Sequence, residues 1–294
     1  MRLLITGAWA EAERHISELE ELGHEIAFLQ WEPDTLPCTP DWPEGVICNG
    51  LFLYHPIERF SNLRFIQLTS AGYDRVPMDY VREHGIEIHN ARDVYSIPMA
   101  EFAVCGMLQI YKQSRFFLEN QKAKRWKKRR DLLELYGKTV CIVGCGSVGT
   151  ECAKRYKAFG CRVIGVNRTV RDNEWFDRVV PLGHLDDVLT DADVVVLSVS
   201  LTAETRHLMD AKRLSCLKLG AVLVNISRGA VLDTAALLQE LPRLGGAVLD
   251  VFEEEPLLET SPLWEMENVI LTPHNSFAGD GCRERLYATI MQNL

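Results

Sequence analysis

Residues 139–166 read TVCIVGCGSVGTECAKRYKAFGCRVIGV, and this stretch decides the fold. An apolar, β-branched run from Thr139 to Val143 leads into Gly144, Gly146 and Gly149, spaced GxGxxG. A segment of helical composition follows, then a second apolar run from Val163 to Val166. Strand, glycine turn, helix and strand in this order make a dinucleotide-binding βαβ unit. Gly144 permits the tight turn, Gly146 lets the backbone approach a pyrophosphate, and Gly149 lets helix and strand pack closely. The N–H groups at the helix start, around Ser147 and Val148, suit the anionic pyrophosphate. GxGxxG alone often marks only a turn; here the flanking strands and helix carry the reading.

The second strand ends on Asn167, Arg168 and Thr169. An acid at that point would hydrogen-bond the adenosine ribose 2′-hydroxyl and repel a 2′-phosphate. Asn167 removes the repulsion, Arg168 and nearby Arg171 supply cations suited to phosphate, and Thr169 adds a hydroxyl. The expected cofactor is NADP(H), with NAD(H) as the alternative if the arginines are only a solvated turn.

Outward from this unit, strand and helix patterns alternate along the chain. RLLITG, EIAFLQ, GVICNG, LRFIQLTS and IEIHN occupy the first part. TVCIVG, CRVIGV, RVVPL, DVVVLSV, AVLVNIS, GAVLDV and NVILTPH occupy the second. Short apolar runs bounded by Gly, Asp and Asn suit buried parallel strands. The expected fold is α/β with two doubly wound parallel-sheet domains, one of them a Rossmann-type NAD(P)-binding domain inserted in the other. Residues 1–98 with 277–294 form the outer domain, and 99–276 the dinucleotide-binding one. From Met99 to Phe117 the chain reads as one long helix leading into the second domain. The closing GDGCRERLYATIMQNL reads as a helix returning to the first.

The 294 residues, 47% apolar and 25% charged, suit a globular protein of two domains. A net charge of -9 argues against a general nucleic-acid binder. Seven of the nine residues from Lys122 to Arg130 are basic, which reads as a solvated arm. No apolar run reaches membrane-span length, and MRLLITGAWA reads as a first strand rather than a leader. Nine cysteines, an odd number without CxxC spacing, point to reduced thiols in a cytoplasmic protein and no structural metal.

Three further stretches carry chemistry. AVLVNISRGAVLD puts Arg228 just past a buried strand, GGAVLDVFEEEPL puts Asp250 and Glu255 past another, and NVILTPHNS puts His274 past a third. In a parallel sheet these ends share the carboxyl edge with the GxGxxG turn.

These residues resemble the D-isomer-specific 2-hydroxyacid dehydrogenases over nearly the whole chain. LKLGAVLVNISRGAVLD is similar to the family's arginine motif, LDVFEEEPL to its glutamate motif and TPH to its histidine motif. LTSAGYDRV resembles its substrate loop, and YSIPMAEFAV its domain crossing. The resemblance implies a flavodoxin-like substrate domain and a reductase of small 2-oxo acids, of the glyoxylate/hydroxypyruvate reductase kind. Arg228 would bind the substrate carboxylate and polarise the 2-oxo group, His274 would exchange the proton, and Glu255 would orient its ring. Backbone N–H groups of Ser70, Ala71 and Gly72 would hold the carboxylate, with domain closure excluding water. Ser200, Ile226, Ser227, Asp250, His274 and Ser276 would line the cofactor, and two copies would pair as a homodimer. If the register of the glutamate run slipped, Glu254 would replace Glu255. His55 and Tyr54 would line the cleft, and the remaining histidines carry no role.

The chain departs from the family pattern at Ser198 and Ser200, where a His or Asn and a Pro are common. It departs again at Ser276, where a Gly or Ala is common, with Phe277 following. It also stops soon after RLYATIMQNL, where many members continue. Two other functions stay open on the sequence: an NAD-linked dehydrogenase, and a dinucleotide-sensing protein without catalysis, since fold alone does not fix function.

Overall fold

The structure, a computed structural model, describes all 294 residues. It divides into two compact units, Met1–Tyr95 with Gly279–Leu294, and Ser96–Ala278. The expected limits lay two or three residues away, at 98/99 and 276/277. The shift at the first limit reflects the helix Ser96–Tyr111, which begins before Pro98 and carries it in its first turn, where a missing N–H costs nothing.

The first unit holds β1 (Arg2–Thr6), β2 (Glu25–Leu29), β3 (Gly45–Cys48), β4 (Phe65–Leu68) and β5 (Glu87–His89). All pair in parallel in the order β2-β1-β3-β4-β5, the flavodoxin-like arrangement. Alternation along each strand fills two faces. Leu4, Val46, Cys48, Ile66 and Leu68 enter one core cluster, and Leu3, Ile5 and Ile47 the other. The helix Cys282–Asn293 returns to this second face, where Leu286 and Ile290 are buried beside Trp9 and Leu19.

The second unit holds β6 (Thr139–Val143), β7 (Arg162–Asn167), β8 (Arg178–Pro181), β9 (Val194–Leu197), β10 (Val222–Asn225), β11 (Gly246–Leu249) and β12 (Val269–Leu271). Their order is β12-β11-β10-β9-β6-β7-β8, again all parallel. Counted from β6 this is the doubly wound dinucleotide-binding order with one strand added beyond β11. Its crossovers reverse between β6 and β9, so a crevice opens there at the carboxyl edge. Val140 and Ile142 pack on the side of helix Ser96–Tyr111, and Cys141 and Val143 on the opposite side.

One expectation is corrected. The helix read from Met99 to Phe117 is two helices, Ser96–Tyr111 and Ser114–Lys122. Gln113 sits at φ 54 and ψ 45, in the left-handed region. Its backbone N–H and its side-chain amide both donate to the Ile110 carbonyl, at 3.1 and 3.0 Å. Capping that carbonyl ends the first helix, and the left-handed residue turns the chain into the second. The basic run beyond Ala123 has no regular structure, and Trp126 within it is 96% exposed. No helix is long and apolar enough to cross a membrane.

Ile290 is fully buried on the returning helix, against Leu3, Ile5 and Ile47 of the first unit's sheet. Ile290→Ala should destabilise that unit by about 2–5 kcal/mol. Urea unfolding followed by circular dichroism checks this, and an unchanged midpoint would mean the helix adds no core.

Candidate active site

The glycine turn is built as a cradle. Gly144 lies at φ 102, where a side chain would be strained, and a Cβ there would come within 2.8 Å of the Ser198 backbone. A Cβ on Gly149 would fall 1.9 Å from the Gly144 carbonyl oxygen. Both positions therefore demand glycine, and the helix Ser147–Ala158 starts directly after Gly146. First-turn N–H groups have no partner inside their own helix, which suits a pyrophosphate at this end. Ser198, one of the departures from the family pattern, holds the turn itself: its hydroxyl lies 3.2 Å from the Val143 carbonyl and 2.9 Å from that of Gly144. The residues present fit a dinucleotide.

Asn167 closes β7 and serves the same turn. Its side-chain oxygen lies 3.5 Å from the Cys145 N–H, and its amide nitrogen donates to the Thr169 carbonyl at 2.9 Å. Arg168, Thr169 and Arg171 beyond it are exposed. After β9, Ser200 is exposed, and its carbonyl accepts from the Thr205 hydroxyl at 2.7 Å, which closes the following loop.

The ends of β10, β11 and β12 carry the other expected groups on three neighbouring strands. Past β10, the buried Asn225 shapes the turn. Its oxygen accepts from the Ser227 N–H at 3.1 Å and hydroxyl at 2.8 Å, and its nitrogen donates to the Arg228 carbonyl at 3.2 Å. Ile226 and Ser227 are buried. Arg228 is half-buried, with Nη1 donating to the Ser227 carbonyl at 2.9 Å.

Asp250, expected to hold the nicotinamide side of the site and add to its field, is 0% exposed, and its carboxylate binds the loop after β12. Oδ1 accepts from the Thr272 hydroxyl at 2.7 Å and the Asn275 N–H at 2.8 Å, and Oδ2 from the Ser276 N–H at 3.0 Å. A buried carboxylate requires such donors. Ser276, also expected at the cofactor, is buried by the same clamp. Between these anchors His274 takes φ 51, and its N–H donates to the Asp250 carbonyl at 2.8 Å. The left-handed backbone, costly for a non-glycine residue, is thus held by the strand beside it.

The glutamate run is sorted by geometry. Glu255 accepts the Phe252 N–H on Oε1 at 3.0 Å and meets Nδ1 of His274 with Oε2 at 2.8 Å. That leaves Nε2 of His274 as the nitrogen without a protein hydrogen bond. Glu254 is exposed, and Glu253 pairs with His207, a histidine that the sequence did not single out. Phe277 is 45% exposed, its ring edge-on to that of His274 with centroids 6.4 Å apart.

In the first unit, Ser70, Ala71 and Gly72 follow β4 at its carboxyl end. Their N–H groups make no backbone hydrogen bond, while the loop's carbonyls are taken by the Ala91 N–H and the Asn90 side chain. His55, expected to line a cleft, is 8% exposed, and its Nε2 lies 2.8 Å from the Glu32 carbonyl. Tyr54 beside it is exposed. No disulfide joins any of the nine cysteines, and burial pushes the Cys145 thiol up to about 12.

Residues 104–276 match the family model described as D-isomer specific 2-hydroxyacid dehydrogenase, NAD binding domain. The chain is 36% identical over 247 residues to a glyoxylate reductase of Pyrococcus horikoshii, covering 81% of this chain and 74% of that protein. A solved glyoxylate reductase from Paecilomyes thermophila is similar with a TM-score of 0.87 and 25% identity, over 99% of this chain and 94% of that one. A D-isomer specific 2-hydroxyacid dehydrogenase from Xanthobacter autotrophicus Py2, solved in complex with NADPH and MES, is similar with a TM-score of 0.80 and 28% identity. That match covers 99% of this chain and 93% of the other.

Asp250→Ala leaves the Thr272, Asn275 and Ser276 donors without their acceptor. At about 1–3 kcal/mol for each donor stranded in a buried place, stability should fall by about 3 kcal/mol or more. A denaturant midpoint measured beside the parent reads this, and equal midpoints would show that the carboxylate is not what holds the loop.

Proposed function

The chain belongs to the D-isomer specific 2-hydroxyacid dehydrogenase family, and from that premise we propose that it is an NADP(H)-preferring reductase of small 2-oxo acids, giving D-2-hydroxy acids. As a member it is an NAD(P)-dependent oxidoreductase. The observation that carries the finer reading is the His274–Glu255 pair, set one strand away from the Arg228 turn at the carboxyl edge.

A nicotinamide dinucleotide supplies the hydride when bound. Gly144, Gly146 and Gly149 with Ser147 and Val148 hold its pyrophosphate. Arg228 binds the substrate carboxylate with its planar fork and polarises the 2-oxo group. The amides of Ser70, Ala71 and Gly72 make no backbone hydrogen bond and suit a carboxylate. His274 gives the proton from Nε2 to the carbonyl oxygen in reduction, and takes it back in oxidation. Glu255 fixes the ring through Nδ1, so that Nε2 is the nitrogen that works. Asp250 and Asn225 act behind them, holding the two loops in shape.

The cofactor preference rests on Asn167, Arg168, Thr169 and Arg171. No acid ends β7 to repel a 2′-phosphate, and the exposed Arg168 and Arg171 just beyond it support the reading. The solved relative from Xanthobacter autotrophicus Py2, in complex with NADPH, supports the same reading. Nine cysteines as thiols, rather than disulfides, support a reducing, cytoplasmic setting. The exposed Trp126, in its basic arm, supports pairing of two copies through the arm and the helix Ser96–Tyr111.

NADPH and NADH oxidation followed side by side, with glyoxylate, hydroxypyruvate, pyruvate and a branched 2-oxo acid, tests the reading. NADPH should give the higher kcat/KM, and Arg168→Ala should raise the KM for NADPH roughly tenfold while sparing NADH, the loss of one charge-assisted contact. Preference for NADH in the parent would reduce these residues to a solvated turn. Cofactor binding without turnover on any acid would favour the sensing protein.

A further inference from the structure

Another histidine–carboxylate pair shares the loop after β11 with the first. His207, in the loop after β9, places Nε2 2.6 Å from Oε1 of Glu253. The other oxygen of Glu253 accepts the Thr234 N–H at 3.0 Å, at the start of helix Thr234–Glu240. The His207 N–H donates to the Ala230 carbonyl at 2.7 Å. One carboxylate thus joins the loops that follow β9, β10 and β11. His207 adopts φ 49 to do so, a left-handed backbone that a histidine takes only at a cost.

Two residues on, Glu255 holds His274. The segment between is a tight turn, closed by the Phe252 N–H on the Glu255 carboxylate at 3.0 Å. The base of that turn is therefore fixed by Glu253, and its tip orients the proton donor. Burial works against ionisation of Glu253, yet its bonds to Thr234 and His207 prevail and hold its carboxyl below the usual range. The side chains of His207 and Glu253 are 43% and 33% exposed, and an exposed ion pair adds little to stability. Its consequence is geometric.

We infer that His207 and Glu253 are positioning residues for the reaction: together they latch the loop after β11 so that Glu255 presents His274 in its working orientation. The inference rests on the proton-transfer role proposed above for His274. The latch touches neither substrate nor reacting atoms. Misplacement of a catalytic group by a fraction of its reach lowers rate far more than binding.

The test compares His207→Ala, Glu253→Ala and Glu253→Gln in the full chain, with NADPH and the 2-oxo acid that the parent turns over best. Each alanine variant should lower kcat roughly tenfold or more, with the NADPH dissociation constant and the denaturant midpoint near the parent's. Glu253→Gln keeps one acceptor oxygen for the Thr234 N–H, and its amide N–H can donate to Nε2 of a neutral His207, so it should recover most of kcat. In a Glu255→Gln background, His207→Ala should cause no further loss, since the latch acts through Glu255. Unchanged kcat in both alanine variants would overturn the inference. So would losses that multiply fully with Glu255→Gln, or a fall in kcat matched by loss of fold. If Glu255→Gln itself turned over like the parent, the proton-transfer reading would fail instead.

Discussion

Burying a carboxylate without partners is among the most costly things a fold can do, and Asp250 is buried completely. The Thr272 hydroxyl and the Asn275 and Ser276 N–H groups compensate it. Because these donors lie on both sides of His274, satisfying the charge also folds the loop. His274 is then held in a left-handed backbone that it would not adopt in a free chain. The shape of the loop after β12 depends on that exchange. Asn225 plays the same part, without charge, for the turn that bears Arg228. Both are strand-end residues of adjacent parallel strands, so the sheet's own register, Asn225 against Leu249, sets the two loops side by side.

Much of this was legible in the residues. Each of the twelve apolar runs became a strand, because short β-branched stretches buried on both faces have few other ways to fold. The GxGxxG unit announced the crevice between β6 and β9, since its glycines are required by contacts as close as 1.9 Å. The identity of Glu255 as partner of His274 was carried by its resemblance to the family motif, and the geometry agrees. What stayed hidden was of another kind. The three donors that Asp250 gathers from the loop after β12 are set by tertiary folding and leave no mark in the strand-end run itself. Gln113 is an ordinary helix former, so the break after Tyr111 had no compositional sign. His207 lies in a threonine-rich loop, and its partner is 46 residues away. Pairing at that distance is set by tertiary structure alone.

The cofactor side follows the same division of labour. Glycines give the backbone its close turns, and neutral polar groups then lock them. Ser198 bonds the carbonyls of Val143 and Gly144, and Asn167 reaches back toward the N–H of Cys145. The departure at Ser198 is therefore a local solution rather than a gap in the site. Asn167 joins two tasks in one side chain. It leaves the end of β7 without a negative charge, and its carbonyl oxygen reaches the glycine turn. Arg168 and Arg171 remain exposed beyond it.

The most direct measurement is turnover and cofactor binding in one preparation of His274→Ala. If Nε2 of His274 supplies the proton, the turnover number should fall by roughly 10²–10⁴, while NADPH binding, read by fluorescence titration, stays at the parent's affinity. Turnover within a few-fold of the parent's, with binding intact, would contradict the account. It would leave the Glu255–His274 pair a structural contact in a site whose chemistry is done elsewhere.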